Sequence, residues 1–323
     1  MKRFVYFALS IVVLLSMSNC AGDGEDIGAP IEIIDDYVLP QKGASDAANA
    51  RIQDIYNKYG SYIVYDYTQK DAFWTQVTGN ANSGGRVMKC IMGAPKNVEA
   101  MLDYLQDIWL KYFDDSFKKN GGIPYRVFLA DSVYTERDFG DGQIMKNTQN
   151  YYITSNALII AGMNDVAKMD AATKHARKVE LFTALWDYYR QQSIIRIPDE
   201  FYEGTDYVTE PSYTETKVNQ WYSTYTYPID ELRNRGFIPN YSQYGYSAYQ
   251  EIANRSSATY TSWGVEATNK ANDYKYYMAQ ILNAKDAEVE AFLAYPAVAH
   301  KWNVLLDFYK NTYNIDLRVI AKD

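Results

Sequence analysis

Hydrophobic residues recur at helical spacing in seven segments of the chain. The first, Ser45–Tyr59, opens with a serine that can cap a helix and then has an apolar residue at every third or fourth position. The second begins at Pro95, stays apolar on one face as far as Phe113, and is followed by a Gly-Gly pair at Gly121 that favours a helix end. The other predicted helices span Thr173–Gln192, Ser247–Ala258, Asn272–Asn283, Ala287–Ala294 and a last segment from Pro296.

Shorter apolar runs with strand character lie between these helices. Tyr62–Tyr67 alternates weakly, whereas Tyr125–Ala130 and Tyr151–Ile160 contain runs typical of buried strands. Ile194–Asn240 is rich in tyrosine and contains several prolines, which predicts a long irregular connection. Because helices and strands occur in separate blocks and do not alternate strictly, the pattern favours an α+β fold over a doubly wound sheet.

The N-terminus has the layout of a secretory signal. Lys2 and Arg3 precede the apolar run Phe4–Leu15, which is short for a membrane span, and polar residues then lead to Cys20. The segment resembles a lipoprotein signal peptide of residues 1–19, in which Cys20 is acylated and anchors the mature protein to a membrane. Ordinary signal-peptidase cleavage near this point, with Cys20 incidental, is the alternative.

Residues 20–40 are predicted to form a flexible tether, because Asp, Glu, Gly and Pro are frequent there and periodicity is weak. The acidic start of the tether, Ala21–Asp26, resembles the short signals that send some bacterial lipoproteins to the outer leaflet of the outer membrane. We therefore expect a lipid-anchored, cell-surface location. Residues 41–323 suffice for a single domain, within which 41–95 can form an N-terminal subdomain.

The composition argues against several classes of function. The net charge of −8 does not favour nucleic-acid binding. The two cysteines, one of them the predicted lipidation site, leave no disulfide framework and no cysteine-based metal site. Tyrosine is frequent, at 32 residues, and its ring offers an apolar face and a polar tip to partner proteins or sugars. Alternatively, tyrosine simply takes core and surface positions where other proteins use Phe or Leu.

Three segments taken together resemble one protein family. They are Phe182–Gln191 in the third predicted helix, Arg235–Tyr241 followed by Ser247–Ile252, and the C-terminal stretch from Tyr295 to Arg318. In order and spacing they are similar to the zinc-binding metallopeptidase family that includes the substrate import-associated zinc metallohydrolase lipoproteins. The resemblance implies a zincin-like fold. It also implies two partners, an outer-membrane TonB-dependent importer and the binding lipoprotein of that importer.

The positions that carry the zinc motif of this family hold other residues here. A His-Glu-x-x-His helix presents two histidines on one face to Zn²⁺, together with a glutamate that polarises a water molecule. The resemblance aligns that motif with Thr183–Asp187, which reads TALWD. The only histidines of the chain, His175 and His300, are expected to be exposed or held in ordinary core contacts. We therefore expect neither a bound cofactor nor catalytic residues.

Residues at this degenerate motif are the candidates for a functional site. Thr183, Ala184 and Asp187 occupy the first histidine, the glutamate and the second histidine positions. Glu251 matches an acidic position of the second segment. The candidate ligand contacts are aromatic residues on or facing the altered helix: Trp186, Tyr188 and Tyr249. The alternative for Trp186 and Tyr188 is that they fill the space that the metal site has vacated.

These features favour a catalytically inactive relative of a zinc peptidase that serves as an accessory or binding protein in the import of peptide or glycan nutrients. Two alternatives stay open. One is an active metal-dependent hydrolase with a non-standard site built on Asp187 and Glu251, because carboxylates also bind metals. The other is a structural or adhesive surface protein that contacts its partner through the tyrosine-rich residues 200–250.

Overall fold

Helices and strands occur in separate blocks, so the prediction of an α+β fold is confirmed. The computed structural model describes residues 36–73, 86–138, 143–209, 211–220, 223–238, 257–261 and 270–323, and residues 39–323 form one compact unit. The helices are α1 (Asp46–Tyr59), α2 (Gln69–Ala72), α3 (Val98–Ile108), α4 (Asp115–Phe117), α5 (Ala171–Gln191), α6 (Ile229–Asn234), α7 (Lys270–Asn283), α8 (Asp286–Leu293), α9 (Pro296–Tyr313) and α10 (Leu317–Lys322). The strands are β1 (Tyr62–Val64), β2 (Arg86–Met92), β3 (Arg126–Asp138), β4 (Ile144–Gln149), β5 (Tyr151–Ile153), β6 (Ala157–Ile160), β7 (Thr214–Lys217), β8 (Ser223–Pro228) and β9 (Ser257–Thr261).

The larger sheet is built around β3, whose two halves pair with different strands. The first half pairs in parallel with β1 and β6, so that Val127 lies opposite Ile63 and Leu158. The second half pairs antiparallel with β2 and β4. β5 pairs antiparallel with β6 and ends the strand order β1-β3-β6-β5 among the described strands. A smaller antiparallel sheet has the order β7-β8-β9.

Helices α3 and α5 share one hydrophobic core with a face of the larger sheet. Side chains of β3 and β6 that point to this face, such as Leu129 and Ile160, belong to the same buried cluster as Leu105 of α3 and Phe182 of α5. Burial of a large apolar side chain contributes about 1.5–3 kcal/mol to folding, so this interface fixes α5 firmly beside the sheet. Of the helices that the structure describes, none combines the length and the apolar character that a membrane span requires.

The strand predictions were right in place and wrong in extent. The strand predicted at Tyr62–Tyr67 ends at Val64, and the one predicted at Tyr125–Ala130 continues to Asp138. Tyr151–Ile160 forms a hairpin of β5 and β6, because the polar residues at its centre make a turn. This hairpin brings β5 to the end of the sheet.

Two longer predictions also need correction. The segment Ile194–Asn240, predicted to be an irregular connection, contains β7, β8 and α6 in its described part. The helix predicted from Pro95 to Phe113 is interrupted at Trp109, where φ is −140°, and a short 3-10 turn follows. Most of the helix predicted at Ser247–Ala258 lies outside the described residues, and its last two residues belong to β9.

Candidate functional site

A groove of about 380 Å³ lies between helix α5 and strand β5. Its described walls are Thr183, Ala184, Asp187, Tyr188, Gln191 and Gln192 on the helix side, and Tyr151, Ile153, Thr154 and Ser155 on the strand side. The members on the helix side form three adjacent pairs, 183/184, 187/188 and 191/192, and successive pairs are four residues apart, so they share one face of α5 and its C-terminal cap. The stretch that the family resemblance aligns with the zinc motif therefore forms one wall of an open groove.

Polar contacts hold the first half of α5 against the edge of the sheet. Asp170 caps the helix by accepting a hydrogen bond from a backbone N–H of the first turn. The guanidinium of Arg177 donates to the carbonyl oxygens of Asn150, at 3.4 Å, and of Ala161. The side chain of Asn150 in turn donates to a carboxylate oxygen of Glu180 at 2.5 Å. These contacts set the position of the helix relative to β5 and thus the width of the groove.

Strand β5 directs part of its backbone away from its partner strand. Thr154 N donates to Ala157 O at 2.8 Å, and Ala161 N donates to Asn150 O at 2.9 Å, which fixes the alternation along the β5–β6 pair. In an antiparallel pair, every second residue points its N–H and C=O groups away from the neighbouring strand. Ile153 is such a residue, and it also lines the groove. Outward backbone groups of this kind are the ones to which an added strand binds.

The three motif positions provide few ligands for a metal ion. The Thr183 hydroxyl donates to Val179 O at 2.9 Å, and Ala184 offers only a methyl group. The Asp187 carboxylate is 3.4 Å from an Arg190 nitrogen. Catalytic zinc sites use three protein ligands, mostly histidine with a carboxylate or cysteine, so these residues do not fit zinc. In the part of the chain that the structure describes, no three His, Cys, Asp or Glu side chains form a group that could hold a metal ion.

The two aromatic candidates on α5 occupy different environments. Trp186 is 2% exposed, and its ring lies 6.0, 5.9 and 5.6 Å from the rings of Phe182, Tyr189 and Tyr309. Trp186 does not line the groove, so its prediction as a ligand contact is corrected. Its position in the interior agrees with the alternative interpretation, in which it fills space inside the protein. Tyr188 does line the groove, although it is only 8% exposed. Burial raises the pKa of the Tyr188 phenol, which therefore stays neutral at physiological pH.

Several residues of the groove walls are not among the site residues predicted from the sequence. Gln191 follows Asp187 by four residues and extends the same helix face, which is a signal that helical spacing alone provides. Ile153, Thr154 and Ser155 reach the groove only because β5 turns back on β6. That turn is not evident when Tyr151–Ile160 is interpreted as a single strand.

The remaining candidates are distant from the groove or outside the described residues. His175 and His300 are exposed on α5 and α9 and do not line the groove. Partial loss of solvent around the otherwise exposed His175 ring lowers its pKa, and the nearby ammonium of Lys178 lowers it further. Cys20, Tyr249 and Glu251 lie outside the described residues.

A second group of charged residues lies in the interior. The ammonium of Lys301 contacts the carboxylate of Asp273, and the hydroxyl of Tyr207 donates to the same carboxylate oxygen. The ammonium also lies 4.5 Å from the ring centre of Phe201 and 4.9 Å from that of Tyr277. Burial raises the pKa of Asp273 and lowers that of Lys301, although each partner opposes the shift of the other. This cluster is enclosed and does not open into the groove.

Comparison with known proteins gives little beyond a general likeness. No protein-family model matches this chain, and no curated protein matches it. Among solved structures, the chain is similar to the crystal structure of "a putative zinc-binding metallo-peptidase" from Bacteroides caccae. The two share 12% sequence identity over 86% of this chain and 92% of the other, with a TM-score of 0.40. A likeness at this level assigns neither a family nor an activity.

Proposed function

We propose that this protein is a surface lipoprotein that binds an extended peptide in the groove between α5 and β5 without cleaving it, as an accessory to nutrient import. The observation that supports this most directly is the composition of the two walls. Thr183, Ala184 and Asp187, at the positions that the resemblance assigns to the zinc motif, face β5, the last strand in the order of the described strands, across an open space.

The strand side of the groove suits a peptide backbone. An extended peptide that adds to a sheet edge gains main-chain hydrogen bonds, and the outward groups of Ile153 provide a donor and an acceptor for it. Each such bond contributes about 0.5–1.5 kcal/mol net. On the helix side, Asp187 and Gln191 offer polar contacts for side chains. A glycan that stacks on aromatic faces is less favoured, because Tyr188 is mostly buried and Trp186 lies in the interior.

The residues at the motif do not support peptide hydrolysis. Metal-assisted hydrolysis needs a polarised water molecule and a base beside it that accepts a proton. Ala184 occupies the position of that base and has no group that can accept a proton. The Thr183 hydroxyl, which donates to the backbone of its own helix, is no substitute. Binding without turnover is the function that these side chains favour.

The surface location and the import role are supported by sequence features. Residues 1–19 resemble a lipoprotein signal with Cys20 as the acylated residue, and the family resemblance suggests a TonB-dependent importer and its binding lipoprotein as partners. Metabolic labelling of the full chain with an alkyne-bearing fatty acid in a Gram-negative host tests the anchor. Wild-type protein should incorporate the label and Cys20→Ala should not. Equal labelling of both would exclude lipidation at this residue.

The groove itself is tested by filling it. Ala184 lines the groove, whereas Ala176 is exposed about two helical turns earlier on α5 and does not line it, so Ala184→Phe and Ala176→Phe form a matched pair. Peptides that bind the wild-type protein would be selected from an array of random 12-residue sequences, and their affinities measured by fluorescence polarisation. Ala184→Phe should weaken binding at least tenfold, or about 1.4 kcal/mol, and Ala176→Phe by less than about twofold.

Three outcomes would contradict the proposal. They are the absence of any bound peptide, equal binding by the two variants, and conversion of bound peptides to fragments. A further measurement, of zinc content after incubation with zinc and dialysis, separates the hydrolase alternative. About one retained zinc per chain, lost on Asp187→Ala, would favour a metal-dependent hydrolase over a binding protein.

A further inference from the structure

A second groove, of about 240 Å³, lies at the other end of α5, beside the 3-10 turn that follows α3. It shares no described lining residue with the groove between α5 and β5. Three lysines line it: Lys111 from the 3-10 turn, and Lys174 and Lys178 from the first two turns of α5. Lys174 and Lys178 are four residues apart, so they lie on the same helix face.

Lys178 is the unusual member of this set, because it is a buried cation without a direct ion pair among the described residues. The residue is 3% exposed, and its ammonium donates to the hydroxyl of Tyr112 at 3.5 Å. Among the described residues, no carboxylate oxygen lies within 4.0 Å of it. A buried ammonium without a carboxylate carries a substantial desolvation cost. Burial accordingly lowers the pKa of Lys178.

A second ammonium lies near the first. The Nζ atoms of Lys111 and Lys178 are 5.1 and 5.6 Å from the centre of the Tyr112 ring, so two like charges flank one aromatic side chain. Lys111 forms ion pairs with Asp107 at 2.9 Å and with Asp323 at 2.6 Å. The two acidic residues that line the groove thus both pair with Lys111, and Asp323 also accepts a hydrogen bond from the Tyr112 hydroxyl at 3.0 Å.

Lys174 adds to the positive charge. In the described part of the chain it makes no ion pair, so neither lysine of α5 has a carboxylate partner. The start of the 21-residue helix α5, at Ala171, also lines the groove, and a helix start carries a partial positive charge. Asp107 and Asp323 attract the Lys178 ammonium from within the same groove, but neither forms an ion pair with Lys174 or Lys178, so the charges of these two lysines are only partly offset.

We propose that this groove binds an oxyanion of the phosphate or sulfate type, free or as an ester of a small molecule, with Lys178 and Lys174 as its main contacts. An ammonium group acts as a point charge toward such an anion and forms short, charge-assisted hydrogen bonds with it. The groove volume of about 240 Å³ is several times the volume of about 30 Å³ that one water molecule takes in the liquid. It therefore exceeds what a single phosphate group needs, and an organic substituent also fits.

Isothermal titration calorimetry at low ionic strength tests the site. The probes are inorganic phosphate, inorganic sulfate and glucose 6-phosphate, with glucose as the neutral control. At least one of the three anions should bind and glucose should not. Tighter binding of glucose 6-phosphate than of inorganic phosphate would identify an ester as the preferred form, and the reverse order would identify the free anion. Absence of binding by all three anions at millimolar concentrations would overturn the proposal.

Matched variants assign the binding to this groove. Lys178→Met keeps the apolar stem and removes the charge, and should weaken anion binding at least tenfold. Lys168→Met is the control, because Lys168 is 79% exposed and pairs with Asp165 on the surface. It should change the affinity less than about twofold. Equal affinity of wild-type protein and Lys178→Met would place any binding elsewhere and overturn the assignment.

Thermal unfolding separates an anion site from a structural lysine. Without anion, Lys178→Met should unfold at the same temperature as the wild-type protein or higher, because the variant no longer buries a charge without a direct ion pair. Phosphate should raise the unfolding temperature of the wild-type protein and leave that of the variant unchanged. If Lys178→Met is strongly destabilised, Lys174→Met provides the second test. Unchanged anion affinity in Lys174→Met would then contradict the proposal.

Discussion

Replacing Lys301 with methionine should destabilise the protein more than replacing both members of its buried ion pair. The side chains of Lys301 and Asp273 are 2% and 1% exposed. Methionine keeps the apolar stem among the surrounding rings but leaves the Asp273 carboxylate with the Tyr207 hydroxyl as its hydrogen-bond donor. The other oxygen of this carboxylate, Oδ1, already has no hydrogen-bond partner among the described residues.

The expected magnitude follows from the cost of an unpaired buried charge. Removing one partner of a buried ion pair costs about 3–5 kcal/mol, whereas replacing both partners with apolar residues of similar volume is close to neutral. For a folded unit of about 285 residues, the entropy of unfolding near the midpoint is about 0.6 kcal/mol per kelvin. Lys301→Met should therefore lower the unfolding temperature by about 5–8 °C. Lys301→Met combined with Asp273→Leu should recover most of that loss.

The deficit of the single variant should also depend on pH. Burial raises the pKa of Asp273 and Lys301 opposes that rise, so the pKa is higher still when Lys301 is absent. A carboxyl group whose pKa is higher in the folded than in the unfolded state destabilises the fold at pH values above its unfolded pKa of about 4. The penalty disappears as the pH falls toward that value. The difference from wild type should therefore be smaller at pH 5 than at pH 7.

Urea denaturation followed by intrinsic fluorescence at both pH values measures these differences. Lys310→Met is a suitable control, because Lys310 is 53% exposed in a surface pair with Asp316 and should change the free energy of unfolding by about 0.5 kcal/mol or less. Two results would refute the reasoning. One is a loss below about 1 kcal/mol in Lys301→Met, and the other is a double variant as unstable as the single one.

Three further predictions concern α5. Tyr189→Phe should cost about 1–3 kcal/mol in urea denaturation, because the buried phenol donates to Gly122 O at 2.6 Å; a loss below about 0.5 kcal/mol would contradict this. Asp187→Asn should change the free energy of unfolding by less than about 0.5 kcal/mol, since its contact with Arg190 is long and partly exposed; a loss above about 1 kcal/mol would be inconsistent. In an NMR titration the ring of His175 should have a pKa below that of free histidine, owing to partial loss of solvent and the nearby Lys178 ammonium, and a value at or above it would disprove the environment described.

Helix α5 illustrates what helical spacing predicts and what it leaves undetermined. The periodicity of Thr173–Gln192 predicts the helix to within two residues at each end, and Asp187 and Gln191 follow Thr183 on one face. Trp186 lies on the buried face of α5, four residues after the buried Phe182, so the same helical spacing places it in the core.

Long-range pairings were not predictable from local pattern. Tyr151–Ile160 carries apolar residues on both sides of a short polar turn, and only tertiary contacts decide that its two halves pair with each other. The second half of β3 is mostly half-buried, its partner β4 is largely exposed, and neither alternates clearly in polarity. The pairing of Lys301 with Asp273 joins two charged residues that are expected on the surface from composition alone.

The most direct test of a peptide groove without turnover is hydrogen–deuterium exchange, detected by mass spectrometry, with and without an array-selected peptide. Binding along β5 should slow exchange in residues 150–155, where Ile153 directs its backbone outward, and should also slow it in residues 183–192. The same spectra should contain the peptide at its original mass. Unchanged exchange in residues 150–155, or the appearance of peptide fragments, would contradict the proposed function.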